Sequence, residues 1–171
     1  MGILVCGLNG AGKSTVGRML ADRLGYCFID NEDLYFPKAG SSYEFSNPRS
    51  KEEVIRMLED RIAQNDKFVF AAVRGDYGDK LISSLQTIVL IETPKSVRSR
   101  RVRDRSFRKF GDRILQGGDL YEKEERWFAV VDSRPEDYVT EWLEKVDRPV
   151  IRVDGTLPIE KNVEHIVSIL T

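Results

Sequence analysis

The stretch that decides the fold is residues 7–15, which read GLNGAGKST. The first glycine is followed, after four residues, by Gly12, Lys13 and Ser14, and this is the spacing of a phosphate-binding loop. In such a loop, backbone N–H groups surround an anion, the lysine reaches the outer phosphates and the hydroxyl is available to Mg²⁺. The motif therefore predicts a site for the phosphates of a nucleotide.

The sequence on either side of the loop supports this interpretation. An apolar run, ILVC at 3–6, precedes the loop, and apolar residues follow it at helical spacing at Val16, Leu20 and Leu24. A strand, a glycine-rich turn and a helix thus occur in the order that points the positive end of the helix at the anion. The alternative is a glycine-rich turn with a surface lysine. The predicted nucleotide-binding residues of the loop are Gly7, Asn9, Gly10, Ala11, Gly12, Lys13, Ser14 and Thr15.

Composition limits the class of protein. The 171 residues suit one domain, residues 1–171, and a hydrophobic content of 41% is enough for a layered core. With 27 basic and 28 acidic residues the net charge is −1, which argues against a surface for nucleic acid or anionic membrane. No apolar stretch reaches the ~18 residues of a membrane helix. We expect a cytoplasmic protein, monomeric or homodimeric, in which Cys6 and Cys27 are reduced core residues.

Apolar runs alternate with helical patterns along the chain. The runs predict strands at 3–8, 26–30, 68–73, 87–92 and 149–153. The helical patterns lie at 13–24, 51–65, 77–84, 95–109, 120–146 and 158–170. This alternation predicts an α/β fold with a parallel sheet between helices. Residues 36–50 are predicted to form an irregular substrate-side loop that ends with Ser50 as a helix cap, and residues 109–122 a mobile flap.

Acidic residues follow the second predicted strand, where ligands of parallel sheets collect. They are Asp30, Glu32 and Asp33. Phosphoryl transfer needs a carboxylate for Mg²⁺ and often another for the accepting hydroxyl. We therefore assign Asp30 to the metal side and Glu32 to the acceptor, with Asp33 a weaker candidate. The alternative is that these residues simply begin a helix or turn, where carboxylates are favoured.

The third predicted strand is followed by a basic rather than an acidic residue, Arg74. Without an acid at this position, the metal would depend on Ser14 and Asp30. A guanidinium group here would suit a bidentate grip on a phosphate or carboxylate of the substrate. The alternative is an arginine in a surface turn, and Asp76 and Lys80 are weaker candidates on the same loop.

Cations cluster on one side of the helix predicted from Lys95. At about 100° per residue, five of them fall within a sector of about 100°. They are Arg98, Arg101, Arg105, Arg108 and Lys109. This sector predicts a lid that closes over nucleotide phosphates, with one arginine near the transferred group. The alternative is a solvated helix face.

These motifs, in this order, resemble the nucleoside-monophosphate-kinase-like small P-loop kinases, which include adenylate, shikimate and gluconate kinases. Pro94 is followed at seven and eleven residues by Arg101 and Arg105, like the lid arginines of the group. The resemblance implies that Arg101 lies against the adenine and Arg105 near the phosphates. It also implies that Asp154, Gly155 and Thr156 border the adenine.

The stretch FIDNED resembles the Asp-x-Asp element of the shikimate and gluconate kinases, with Glu32 in place of the second aspartate. The adenylate kinase element DG-x-P-R and the shikimate kinase glycine triplet are absent, so the acceptor stays open. We expect a three-layer P-loop fold with a five-stranded sheet in the order 2-3-1-4-5. An acceptor-side insertion is expected at 31–65 and a helical lid at 98–125.

The predicted activity is transfer of the γ-phosphoryl group of ATP, or GTP, with Mg²⁺, to a nucleoside, nucleotide or sugar-acid-like acceptor. The catalytic candidates are Lys13, Asp30, Glu32 and Arg105, with Arg113 as a further cation. The acceptor candidates are Asp30, Glu32, Asp33 and Arg74, and the metal candidates are Ser14 and Asp30. Two alternatives are a nucleotide-dependent switch or regulatory ATPase and, less favoured by the net charge, a kinase that acts on nucleic acid.

Overall fold

A parallel sheet forms the centre of the protein. The computed structural model describes residues 1–37, 43 and 45–171, and these contain five strands. The strands are β1 (Gly2–Cys6), β2 (Cys27–Asp30), β3 (Phe68–Ala71), β4 (Leu85–Glu92) and β5 (Val150–Asp154). The helices are α1 (Lys13–Leu24), α2 (Asn31–Tyr35), α3 (Lys51–Gln64), α4 (Asp79–Ser84), α5 (Lys95–Phe110), α6 (Tyr121–Ser133), α7 (Thr140–Leu143) and α8 (Ile159–Leu170), with a 3₁₀ helix at Gly111–Ile114.

The strands lie in the order β2-β3-β1-β4-β5, and every neighbouring pair is parallel. On the central strand β1, Val5 pairs with Ala71 on one side and Val89 on the other. Both the parallel sheet and its order were predicted, and both are confirmed. The carboxyl ends of the strands therefore meet at one edge, where the phosphate-binding loop follows β1.

Successive residues of the strands point to opposite helical layers. Ile3 and Val5 pack in one core, with Val16 and Leu20 of α1 and Val163 of α8. The strand residues that alternate with these, such as Leu4 and Cys6, face the other core. That core also contains residues of α3, α4 and α7, which are Val54, Leu58, Leu81 and Leu143. Because the strands are covered on both faces, they read as continuous apolar runs, and the three-layer prediction is confirmed.

Cys6 and Cys27 are both free cysteines. Cys6 is fully buried in β1, and burial raises the pKa of its thiol to about 12. Cys27 is half-buried at the start of β2. A thiol with such a high pKa carries no charge at neutral pH, so Cys6 acts as a small apolar side chain.

A third cluster of buried residues joins the helices of the predicted lid. Its members come from α5, the 3₁₀ helix and α6: Val102, Ile114, Leu120, Phe128 and Val131. The predicted flap at 109–122 thus contains a 3₁₀ helix and two buried anchors, Ile114 and Leu120. Apolar burial fixes α5 and α6 to each other.

Several boundaries differ from prediction. The single helix predicted over 120–146 is wrong, because α6 ends at Ser133 and α7 begins only at Thr140. Pro135 disfavours a helical conformation for the residue before it, and that explains the break. The first and third strands end two residues earlier than predicted, where the chain turns into the loops of the site.

The acceptor-side segment is partly described. Residues 31–35 form α2, a helix that the strand and loop assignments did not include. Ser50 caps α3 through a reciprocal pair of hydrogen bonds with Glu53, which confirms its predicted role. Residues 38–42 and 44 of the predicted 36–50 loop lie outside the described residues. Among the residues that are described, no helix has the length and apolar character needed to cross a membrane.

Candidate active site

The phosphate-binding loop adopts a conformation that its glycines permit. Gly10 and Gly12 have φ angles of 81° and 106°, values that residues with a Cβ rarely adopt. Gly12 is the N-cap of α1, and within the described part of the chain no side chain caps this helix. The first N–H groups of α1 are therefore left for an anion.

The loop also packs tightly against the start of α5. A Cβ atom on Gly10 would lie 2.5 Å from the carbonyl oxygen of Arg98. This close approach, together with the positive φ angle, requires glycine at position 10. It places the anion cradle directly beside the helix that carries the predicted lid arginines.

Lys13 lies half-buried in the loop, and its Nζ donates to the carbonyl oxygen of Leu8 at 3.0 Å. Burial lowers the pKa of Lys13 to about 8, and the neighbouring charges of Arg105 and Arg134 add to this lowering. Asp30 opposes the shift. A bound anion would oppose this lowering of the pKa.

A cavity of about 560 Å³ opens beside the loop. Lys13 and Ser14 line it, and so do Asp30 and Glu32. Arg105 of α5 also lines it. The structure thus brings the predicted phosphate-binding, metal-side and acceptor-side residues to a single cavity, whose size is that of a small-molecule site.

Asp30 has a structural partner as well as a place in the cavity. Its carboxylate accepts a hydrogen bond from the backbone N–H of Glu32 at 3.0 Å and caps α2. The alternative interpretation, in which these acids begin a helix, is therefore correct for Asp30, and it is compatible with a site role. Asp33 is exposed and is not among the described residues that line the cavity.

Two substitutions at Asp30 separate its cap from its charge. Asp30→Ala removes the cap, and we expect a loss of about 1 kcal/mol in the free energy of unfolding. Asp30→Asn keeps a capping oxygen, so its stability should stay within about 0.5 kcal/mol of wild type while its Mg²⁺-dependent activity falls at least about tenfold. Chemical denaturation and activity assays measure the two effects. If Asp30→Asn keeps full activity, the carboxylate is only a cap.

Arg105 and Glu32 form an ion pair across the cavity. Arg105 Nη1 lies 3.6 Å from Glu32 Oε2, and both side chains are about half exposed. Because Arg105 belongs to α5 and Glu32 to α2, this pair joins the predicted lid to the acceptor side. A phosphate that binds between them would accept the hydrogen bonds of the guanidinium group and displace the carboxylate.

Arg101 joins the phosphate-binding loop to the turn after β5. Its guanidinium donates to the carbonyl oxygen of Gly155 at 2.9 Å and lies 3.5 Å from the carbonyl oxygens of Gly10 and Ala11. In the same turn, the carboxylate of Asp154 accepts hydrogen bonds from the N–H and hydroxyl of Thr156. The implied adenine-side residues therefore lie next to one another, and their contact with adenine stays a prediction.

Three predicted cations have other partners. Arg74 pairs with Asp76 at 3.1 Å, lies over the ring of Tyr138 at 3.9 Å, and is not among the described residues that line the cavity. Arg113 forms two hydrogen bonds with Asp119 at the surface. Arg98, predicted to belong to the cationic face of the lid helix, is buried instead.

Arg98 is 3% exposed. It donates to the carbonyl oxygen of Thr93 at 2.8 Å and to Glu136 at 2.6 Å. These bonds satisfy its buried guanidinium and fasten the start of α5 to the segment between α6 and α7. Arg98 is therefore a structural residue, one turn before the arginines that reach the site.

Sequence reasoning missed Arg134. Its guanidinium donates to the side-chain oxygen of Asn9 in the phosphate-binding loop at 2.5 Å and lies over the ring of Tyr138. The signal was the Arg-Pro pair at 134–135, which marks a loop inside the stretch taken as one helix. Four aromatic residues of the cavity were also missed: Tyr35, Phe36, Tyr43 and Phe45. The role of the aromatic stretch from Tyr121 to Trp142 was open between the acceptor pocket and packing, and Trp127 of this stretch lines the cavity.

Comparison with known proteins agrees with this architecture. The profile of the AAA domain family matches residues 3–116, more than half of the chain. The uncharacterized protein YqaC of Bacillus subtilis (strain 168) is 25% identical over 177 residues, which cover 99% of this chain and 97% of that protein. A shikimate kinase of Gloeobacter violaceus is 42% identical over 60 residues, 35% of this chain and 34% of that enzyme. This match therefore spans about a third of the enzyme's length.

Solved structures share the fold. A gluconokinase from Sinorhizobium meliloti 1021 has a TM-score of 0.55 at 21% identity, covering 98% of this chain and 89% of that one. Shikimate kinase from Aquifex aeolicus vf5 has a TM-score of 0.52 at 20% identity, covering 99% and 96%. The resemblance to the group of adenylate, shikimate and gluconate kinases is confirmed.

Proposed function

The chain belongs to the AAA domain family, and from this premise we propose that it transfers the γ-phosphoryl group of ATP, with Mg²⁺, to a small metabolite in the cytoplasm. The observation that supports the proposal most directly is the shared cavity. An anion cradle, two carboxylates and a lid arginine line one space of about 560 Å³. A donor phosphate and an acceptor can therefore meet there.

Each group on the donor side has a defined task in this proposal. Lys13 neutralises charge on the β- and γ-phosphates, and the N–H groups of the loop bind their oxygens. Arg105, which also lines the cavity, stabilises the charge that develops on the transferred group. Electrostatic stabilisation by fixed groups suits phosphoryl transfer, in which the protein does little covalent chemistry.

The donor set near Lys13 fits Mg²⁺ held in part by the substrate. Ser14 and Asp30 both line the cavity, and within the described residues no group of three or more His, Cys, Asp or Glu side chains forms a metal cage. Mg²⁺ commonly takes one or two protein ligands, several waters and substrate phosphates. When bound, it would neutralise phosphate charge, while the carboxylate of Asp30 and the hydroxyl of Ser14 hold it in place.

On the acceptor side, the proposal assigns Glu32 as the group that receives a proton. In the proposed step, the acceptor oxygen forms a bond to the γ-phosphorus, the bond between this phosphorus and the bridging oxygen breaks, and ADP leaves. A hydroxyl acceptor gives its proton to Glu32, or to Asp30, and from there to water. Closure of α5 and α6 over the cavity would exclude water as a competing acceptor.

The alternative is a nucleotide-dependent switch or regulatory ATPase without a small-molecule acceptor. The two classes differ in how ADP release depends on added acceptors, measured in a coupled assay with ATP and Mg²⁺. We expect release to rise at least about tenfold with a productive acceptor. ADP release that no nucleoside, nucleotide or sugar acid changes would favour the switch.

Nucleotide binding should depend on pH through Lys13. The pKa of Lys13 is about 8, and bound phosphates would raise it. Below pH 8 the side chain is already protonated, so the affinity for the nucleotide should not change with pH. Above pH 8 binding must take up a proton, so affinity should fall by up to about tenfold per pH unit. Calorimetric titration with ATP between about pH 7 and pH 9.5 tests this slope, and Lys13→Met should remove it.

A further inference from the structure

Aromatic side chains line part of the cavity. Phe36 and Phe45 meet edge to face with ring centroids 5.0 Å apart, and Tyr43 and Phe45 do so at 5.5 Å. Lys109 lies over the ring of Phe45 and Lys123 over that of Tyr43. Phe36, together with Trp127 of α6, is therefore the best candidate to contact a ligand. Both side chains are half-buried and line the cavity.

A buried hydrogen-bond acceptor belongs to another residue that lines the cavity. The side-chain oxygen Oδ1 of Asn31 is buried and has no hydrogen-bond partner among the described residues, and Asn31 lines the cavity. Buried polar atoms almost always have partners. The Asn31 amide lies beside the hydroxyl of Tyr77, and a ligand with an N–H or O–H donor beside its ring would satisfy Oδ1 once the amide turns toward the cavity. Flat rings with polar edges fit the combination of aromatic wall and amide better than a polyhydroxylated chain does.

The carboxylates favour a hydroxyl as the accepting group. Asp30 and Glu32 line the cavity with the phosphate-binding loop and the aromatic residues, and so do the cations Lys123 and Arg126. A carboxylate can accept the proton of a hydroxyl. Arg74, predicted to hold a phosphate or carboxylate of the substrate, pairs with Asp76 and lies over the ring of Tyr138 instead.

We infer that the acceptor is an alcohol that carries a flat heteroaromatic ring, of the nucleoside type, with the ring against Phe36 and Trp127 and the hydroxyl at Glu32. This inference rests on the proposed phosphotransferase activity and names its acceptor class. The hydroxyl oxygen forms the new bond to the γ-phosphorus, its proton passes to the carboxylate, and ADP leaves with the electrons of the broken bond. The products are a phosphomonoester and ADP.

Binding and transfer are both measured with a set of defined acceptors. Adenosine, guanosine, cytidine and uridine are compared with methyl riboside, which keeps the sugar hydroxyls but lacks the ring, and with adenosine monophosphate, gluconate and shikimate. Affinity is measured by calorimetry with a non-hydrolysable ATP analogue and Mg²⁺, and transfer by ADP release. At least one nucleoside should bind at least about tenfold more tightly than methyl riboside, because stacking on aromatic side chains contributes this much.

Variants assign the ring contact. Phe36→Leu should weaken nucleoside binding about fivefold or more and leave methyl riboside binding unchanged. Phe107→Leu is the matched control, since Phe107 is 46% exposed on α5 and is not among the residues that line the cavity. If Phe36→Leu binds nucleosides as the wild type does, the aromatic wall is only packing and the inference fails.

The inference and the proposed function fail in different ways. Transfer to gluconate, shikimate or adenosine monophosphate, with none to nucleosides, overturns the inference and keeps the phosphotransferase. If nucleosides bind with the expected ring dependence and neither they nor any other acceptor of the set is phosphorylated, the proposed activity is overturned. Transfer to a nucleoside that is lost without the ring supports both.

Discussion

Lys13→Ala is expected to lower kcat/KM for phosphoryl transfer by about 10² to 10³, the range seen when one preorganised charge-stabilising group is removed. Lys13 lines the cavity and is the cation of the phosphate-binding loop. Its loss leaves the phosphates bound by N–H groups but without their nearest point charge. Steady-state kinetics with ATP and the productive acceptor measure the effect.

The fold should survive this substitution. Burial lowers the pKa of Lys13 to about 8, so keeping the side chain charged at neutral pH costs folding free energy, and the alanine variant should be at least as stable as wild type. Lys161→Ala, on the exposed surface of α8, is the matched control and should keep full activity. A Lys13→Ala enzyme with a tenth or more of the wild-type kcat/KM would contradict the assigned role.

Arg105→Ala should have the second large effect, and it should lower kcat much more than the affinity for ATP. We expect kcat to drop about 10²-fold or more, because an arginine at the transferred group acts mainly in the transition state. The Kd for ATP should change by less than about fivefold, since the phosphate-binding loop supplies most of the ground-state contacts. Kinetics and calorimetry on the same variant separate the two.

The ion pair with Glu32 gives this prediction its structural basis. The guanidinium of Arg105 is 3.6 Å from the carboxylate and lines the cavity together with Lys13. Arg100→Ala is the matched control, because Arg100 is exposed on the same helix and is not among the cavity-lining residues described. Equal losses of ATP affinity and kcat/KM in Arg105→Ala would show that Arg105 only binds.

The fold was predictable because its signals are local and repeated. The strands of a two-sided parallel sheet appear as apolar runs, and each helix pattern between them has the period of a buried stripe. The cap at Ser50 was also predictable, because the two residues of a capping box are only three positions apart in the sequence. The break before α7 carried a signal too, at Pro135, but the apolar spacing around it outweighed that signal.

The residues of the site were predictable only where they lie in one contiguous segment of the sequence. The phosphate-binding loop is contiguous, whereas the partners of the arginines are distant in sequence. A helical projection places Arg98 and Arg105 in one sector of α5, but it does not show that Arg98 meets Thr93 and Glu136 inside the protein. The contact of Arg134 with Asn9 spans 125 positions, and only the folded chain reveals it.

The acceptor pocket depends on tertiary structure even more strongly. Its wall combines Phe36 and Phe45 from the acceptor-side segment with Trp127 from α6. Periodicity assigns such rings to packing, because most aromatic residues at helical spacing are core residues. The folded chain places them at a cavity together with two carboxylates.

The most direct test of the central claim follows the label of γ-labelled ATP in a single turnover with Mg²⁺ and the acceptor set, with products separated by chromatography. The account predicts that the label appears in an acceptor phosphomonoester, that this product is absent without acceptor, and that it is lost in Lys13→Ala. Label recovered only as inorganic phosphate, at a rate that no acceptor changes, would contradict the account.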